Sequence, residues 1–221
     1  MNIPEWTKKI HQNAIAKGWW DDGERDPDEL CMLIVTEIAE AVEALRSPKR
    51  DRLCDKCEDS PGLQRPYDVG LHDYPPPCPK CQGTGEAIAG GRYREELADA
   101  AIRLLDLCGW YGIEVDAPDV PFGNWERPFR QMLLAGRHLE EAARLLRAKD
   151  PTCLCQHYST LPIQNCTACR GTGQALARHP LNEALRRIVS MSGCTLEEFE
   201  AAIAEKHAYN QTRPHKHGKK F

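Results

Sequence analysis

The chain has 221 residues, with 33 acidic against 29 basic side chains and a formal net charge of −4, a balance that argues against a general nucleic-acid coat. Its opening, Met1-Asn-Ile-Pro-Glu-Trp-Thr-Lys-Lys9, is polar and no long apolar run follows, so neither a signal peptide nor a membrane span is expected and a cytoplasmic location is inferred. In that reducing compartment the eleven cysteines point to metal binding before disulfides.

The apolar periodicity predicts an all-α fold. A first helix over residues 4–18 is stopped by Gly18, ahead of Trp19 and Trp20. The second opens with Asp26 as N-cap, Pro27 at the first helical position and Glu29 completing a capping box. Its apolar stripe is Leu30, Leu33, Ile34, Ile38, Ala41, Val42 and Leu45. Glu37 falls on the edge of that stripe, Glu40 just beyond it and Glu43 farther out, toward water. A carboxylate bordering a buried stripe needs a partner.

Ser47-Pro48 ends this helix, and residues 48–91 become rich in Pro, Gly and Cys. Cys54-x-x-Cys57 and Cys78-x-x-Cys81 have the spacing of a zinc ribbon, in which four thiolates converge on one structural Zn²⁺. Lys49, Arg50, Arg52, Lys56, Arg65 and Lys80 lie in or beside it and offer a phosphate-binding face.

Helix three is expected over 92–111. It is apolar on most sides and leaves a narrow polar strip of Glu95, Glu96, Asp99, Arg103 and Asp106, which periodicity assigns equally to water or to a metal. Helix four covers about 125–148. A second insert, 150–178, carries Cys153, Cys155, Cys166 and Cys169 for a second Zn²⁺, with His157 as an alternative to Cys153 or Cys155. Helix five is expected over 180–191. Helix six starts at Thr195 with Glu198 completing a capping box, and a basic tail follows. Cys31, Cys108 and Cys194 stand alone in apolar helical surroundings, as inert thiols do.

Two pairs of acidic residues stand out. Glu37 and Glu40, like Glu96 and Asp99, are three apart, so each pair projects from one side of its helix. Facing one another, the pairs would offer four oxygen-bearing groups to a hard cation such as Mg²⁺. The chain also repeats itself. Glu40-Ala-Val-Glu-Ala-Leu-Arg46 corresponds to Glu141-Ala-Ala-Arg-Leu-Leu-Arg147, and Cys78-Pro-Lys-Cys-Gln-Gly-Thr-Gly85 to Cys166-Thr-Ala-Cys-Arg-Gly-Thr-Gly173. Carried on without gaps, Glu37 falls on His138, Glu96 on Ala184, Leu97 on Leu185 and Asp99 on Arg187. The unit is helix, cysteine insert, helix, and only the first copy keeps the acidic set.

Glu37-x-x-Glu40 followed by Glu96-x-x-Asp99 resembles the signature of the MazG-like, all-α nucleoside triphosphate pyrophosphohydrolases. The opening His11-Gln-Asn-Ala-Ile-Ala-Lys17-Gly-Trp-Trp20 and the closing Lys206-His-Ala-Tyr-Asn210-Gln-Thr-Arg213-Pro214 are similar to the family's end segments. These matches cover somewhat under half the chain, and the two cysteine inserts and the second hairpin depart from the family's pattern. The resemblance implies a single all-α domain over 1–221, which the internal repeat divides into two hairpins. It implies hydrolysis of an NTP, or rather a dNTP, to the monophosphate and pyrophosphate. Glu37, Glu40, Glu96 and Asp99 would hold Mg²⁺ (or Mn²⁺), and Glu37 or Glu40 would accept a proton from water. Lys206 and Arg213 would contact phosphate oxygens beside Asn210. Trp20 is a candidate to stack on the base, with core packing as the alternative role. A homodimer is the expected assembly. The rival reading is a zinc-ribbon nucleic-acid-binding or adaptor protein whose acidic helices are structural.

Overall fold

The computed structural model describes residues 1–47, 54, 78, 80, 81, 86–88, 91–118, 128–147 and 177–218. Six α-helices account for most of them: α1 (Ile3–Ala16), α2 (Pro27–Arg46), α3 (Arg92–Tyr111), α4 (Pro128–Arg147), α5 (Arg178–Met191) and α6 (Leu196–Thr212), followed by a 3₁₀ turn at His215–Gly218. The all-α expectation holds for these residues. No helix among them is long and apolar enough to cross a membrane.

The helix ends follow local chemistry. Asn2 caps α1 by accepting from the Glu5 amide, and Asp26 caps α2 by accepting from the Asp28 amide at 3.0 Å. Glu29 does not close the expected box, because its carboxylate is held by Arg25 one turn back. At α6 the box forms in full. Thr195 Oγ1 accepts from the Glu198 amide at 3.0 Å, and Glu198 Oε2 accepts from the Thr195 amide at 2.8 Å.

Helix α3 is the centre of the fold and packs against α1, α2, α5 and α6. Its Leu97, Leu104, Leu105 and Cys108 are fully buried, and so are Ala98, Ala100 and Ala101. The alanines keep the helix slim enough to be covered from several directions, while each buried leucine contributes roughly 1.5–3 kcal/mol. Gly109 serves the same end against α1, since a Cβ there would lie 2.6 Å from the His11 Cβ.

Helix α2 packs against α3, and α4 against α5; α2 and α4 then join the two pairs. Arg147 at the end of α4 meets Asp28 in the first turn of α2 at 3.0 Å. Burial follows the internal alignment. Ile34, Ile38 and Ala41 are buried on α2, as are Ala135, Leu139 and Ala142 at the matching positions of α4. Leu97 and Leu185 are both fully buried on the following helices. The two halves therefore bury the same faces although their polar residues differ.

After α6 the chain doubles back over the α1–α2 turn. Lys17 Nζ donates to the carbonyls of Gln211 and Arg213 at 2.7 and 2.6 Å, and the Lys216 amide donates to Lys17 O at 2.8 Å. Lys216 Nζ pairs with Asp22 at 2.9 Å. Gly18, at φ 78°, leaves the space that the His215 ring occupies.

Candidate active site

Three of the four expected carboxylates meet where α2 packs on α3, with α6 also lying on α3. Oxygens of Glu37, Glu96 and Asp99 lie within 4.8 Å of one another. Glu40 is not in this group and is exposed. Its place on the helix gives the reason: three residues beyond Glu37 is about 60° short of a full turn, which carries the side chain off the buried edge toward water. Glu43 is exposed, as expected, and pairs with Arg46 at 2.8 Å.

Glu37 is buried, and Arg103 Nε donates to its Oε1 at 2.5 Å. Burial pushes the Glu37 carboxyl up to about 7; Arg103 opposes the shift, while Asp99 and Glu40 add to it. Glu96 rises to about 8, mainly through burial, with Lys206 opposing and Asp99, Glu95 and Glu37 contributing. Both groups therefore keep a proton to higher pH than an ordinary carboxylate.

The cation side comes from α6. Lys206 is buried, with Nζ 2.5 Å from Glu95 Oε1 and 2.7 Å from Asp99 Oδ2. Burial alone would lower its pKa, but Asp99, Glu95 and Glu96 outweigh that and hold it above the usual lysine range. Asn210, also buried, directs Nδ2 toward Asp99 Oδ1 at 3.5 Å. Asn210 and Asp99 are thus brought together across 111 residues of sequence. Arg213 lies with its guanidinium carbon 5.9 Å from the Tyr209 ring centre.

Three contributors were not among the expected site residues. Glu95 has no solvent exposure and carries both Lys206 and Lys80 on one carboxylate oxygen. Arg103 clamps Glu37. Glu95, Asp99 and Arg103 fall at i, i+4 and i+8 of α3, a spacing visible in the polar strip. Lys80, named among the basic residues in or beside the first cysteine insert, is the third, and it is buried against Glu95. The other basic residues named there, Lys49, Arg50, Arg52, Lys56 and Arg65, lie outside the described residues.

Trp20 packs on the part of α3 that carries Asp106 and Trp110. It is buried, stacked on Trp110 with ring centres 4.3 Å apart and planes 6° from parallel. Its Nε1 donates to Asp106 at 3.0 Å, and Asp106 also meets His11 Nδ1 at 2.7 Å. One face and the N–H are therefore committed to joining the turn after α1 to α3, which is the core-packing alternative.

Among the described residues, two chemically different groups could hold a metal ion. Glu37, Glu96 and Asp99 offer only oxygen, which suits a hard divalent cation. Beside them Glu95 Oε2 and Asn210 Oδ1 are buried and have no hydrogen bond among the described residues. Unsatisfied acceptors next to compressed carboxylates are the complement of a cation and its water shell. Cys54, Cys78 and Cys81 form the second group, all buried, with sulfurs within 4.8 Å of one another and Cys54 Sγ 3.9 Å from Cys78 Sγ. Three converging thiols suit a soft-ligand site. Cys57, Cys153, Cys155, His157, Cys166 and Cys169 lie outside the described residues.

The second hairpin has different chemistry at the matching positions. Ala184 is buried, Glu141 pairs with Arg144 at 2.6 Å, and Arg187 pairs with Glu183 at 3.3 Å and donates to Gln131. Among the described residues no second acidic trio forms. Cys31 and Cys108 are buried, and burial pushes the Cys31 thiol up to about 12, as suits an inert thiol. No family model, curated protein or solved structure matches this chain.

Proposed function

We propose that this protein is a MazG-like nucleoside triphosphate pyrophosphohydrolase, acting on an NTP and more specifically a dNTP with Mg²⁺. The observation that carries the reading is the meeting of Glu37, Glu96 and Asp99 from two helices, with Lys206 from a third laid against Asp99. A triphosphate needs this pairing of acidic and basic halves: carboxylates for the metal and ammonium or guanidinium groups for the phosphate oxygens.

When bound, Mg²⁺ would be held by Glu37, Glu96 and Asp99 and would supply neutralisation of the triphosphate charge. The chain's own residues do the remainder. Lys206 and Arg213 bind phosphate oxygens, and Asn210 orients Asp99 and the substrate beside it. Water attacks phosphorus in line with the departing oxygen of the α–β bridge. Glu37 accepts the water's proton, and the products are a nucleoside monophosphate and pyrophosphate. Arg103 keeps Glu37 ionised enough to serve as that base near neutral pH. Glu40 sits close enough to add repulsion to Glu37 and is the outer member of the acidic set. The thiol group is assigned structural Zn²⁺, with Cys57 as the fourth ligand to Cys54, Cys78 and Cys81.

The test is a panel of ribo- and deoxyribonucleoside triphosphates assayed for pyrophosphate with and without Mg²⁺. Turnover of at least one is expected, and Glu96→Gln should abolish it while leaving the helical circular dichroism unchanged. No pyrophosphate from any common nucleotide, with salt-sensitive binding to DNA or RNA instead, would favour the zinc-ribbon adaptor.

A further inference from the structure

We propose that Lys80 is a third cationic contact for the substrate's polyphosphate, delivered to the carboxylate site by a metal-held cysteine knuckle. This rests on the pyrophosphohydrolase reading but concerns a residue of the insert, outside the segments that carry the resemblance.

The backbone sets up the placement. Lys80 lies between Cys78 and Cys81, whose thiols gather with that of Cys54. A tetrahedral ion there would fix the knuckle and hence the direction of its one long basic side chain. That side chain is 4% exposed and ends on Glu95 Oε1, the oxygen that also takes Lys206. Both amines also approach one ring: Lys80 Nζ is 5.7 Å and Lys206 Nζ 5.9 Å from the centre of Tyr209. Arg213 completes the set at 5.9 Å from the same ring. Lys80 therefore stands with the two cations already assigned to phosphate.

Docking an insert on a helical core does not call for this arrangement. Taking charges out of water is unfavourable, and an apolar contact of similar size anchors a loop equally well. Two ammonium groups converging on one carboxylate oxygen, beside an acidic trio, make sense when a polyanion enters between them. Lys80 would then exchange part of its interaction with Glu95 for a phosphate oxygen. The metal would be structural for the knuckle and, through Lys80, would set how tightly the triphosphate tail is held.

Binding of inorganic tripolyphosphate with Mg²⁺ tests this by titration calorimetry on the full chain, with Lys80→Met and Lys80→Arg compared. Removing an ammonium–phosphate hydrogen bond from a buried site corresponds to about tenfold or more in affinity. Lys80→Met should show that weakening with its bound zinc and helical circular dichroism unchanged, and Lys80→Arg should recover most of the affinity. Displacing the knuckle metal with a mercurial should weaken wild-type binding to the Lys80→Met level and change Lys80→Met little. Equal affinity for wild type and Lys80→Met, or an equal further decrease in both on metal displacement, overturns the proposal. So does a wild type that binds no tripolyphosphate. Lys80-dependent binding without pyrophosphate release from any nucleotide would sink the enzymatic reading and keep the Lys80 site. Turnover by Lys80→Met with unchanged KM would do the reverse.

Discussion

The carboxylate trio predicts a specific link between pH, Mg²⁺ and folding stability. Glu37 and Glu96 have folded-state pKa values of about 7 and about 8, raised above the ordinary 4.5. Without a divalent cation the folded chain therefore binds more protons than the unfolded chain between about pH 4.5 and 8. Stability from these two groups is fully present below the unfolded value and is lost as pH rises through the folded ones. For Glu37 alone, a rise from 4.5 to about 7 corresponds to about 3 kcal/mol. Glu96 adds to that less than its own rise suggests, because the two carboxylates repel each other and do not titrate independently. A cation that binds the ionised trio recovers this loss, so Mg²⁺ should stabilise more as pH rises. In a chain of this size about 3 kcal/mol is a shift of roughly 6–12 °C in Tm. The assay is thermal unfolding by circular dichroism at about pH 5 and about pH 8, with millimolar MgCl₂ against NaCl of equal ionic strength. Magnesium is removed by dialysis, not by a strong chelator, so that the thiol group is left undisturbed. The Mg²⁺-induced rise in Tm should be several degrees larger at the alkaline pH, and Glu96→Gln should flatten the difference. A Mg²⁺ effect equal at both pH values, or no larger than that of NaCl, would refute the assignment of a cation to these residues.

Three further outcomes follow from individual contacts. Removing the guanidinium with Arg103→Met takes away the partner that lowers the Glu37 pKa, so the acidic limb of the pH–rate profile should move to higher pH. Trp20→Phe removes the N–H bond to Asp106 and part of the stack on Trp110. It should cost about 1–3 kcal/mol in chemical denaturation and leave KM for the nucleotide unchanged, whereas a base-stacking role would raise KM. Thr195→Ala breaks the α6 capping box. A decrease of about 1 kcal/mol in stability is expected, and because α6 carries Lys206, substrate affinity should fall with it more than for a cap on α1.

Local signals proved readable because the forces behind them are local. Asp26, Thr195 and the glycines act within one turn of their own positions, so the helix starts and stops are written in short stretches. The stripe of Ile34, Ile38 and Ala41 needs only the helical period of about 3.6 residues to declare a buried face. That same period places Glu37 at the buried edge and Glu43 in water, as observed. Its limit appears at α3. Periodicity gives the angle of Glu95, Glu96 and Asp99 on the helix but not what lies opposite them. The capping-box reading at Glu29 failed for a related reason, since Arg25 competes for the same carboxylate and no propensity scale registers the competition.

The helical character of the described residues, the approximate helix ends, the acidic residues of α2 and α3 and the grouping of Cys54, Cys78 and Cys81 are all legible in the linear chain. The packing of α6 on α3 is not legible there: it brings Lys206 onto Asp99 and carries Asn210 to it from 111 residues away. The same holds for the burial of Glu95 beside an exposed Glu40, and for the inward turn of Lys80 to Glu95. One cause underlies all of these. Burial and charge pairing depend on which surface covers a side chain, and that surface is supplied by segments distant in the chain.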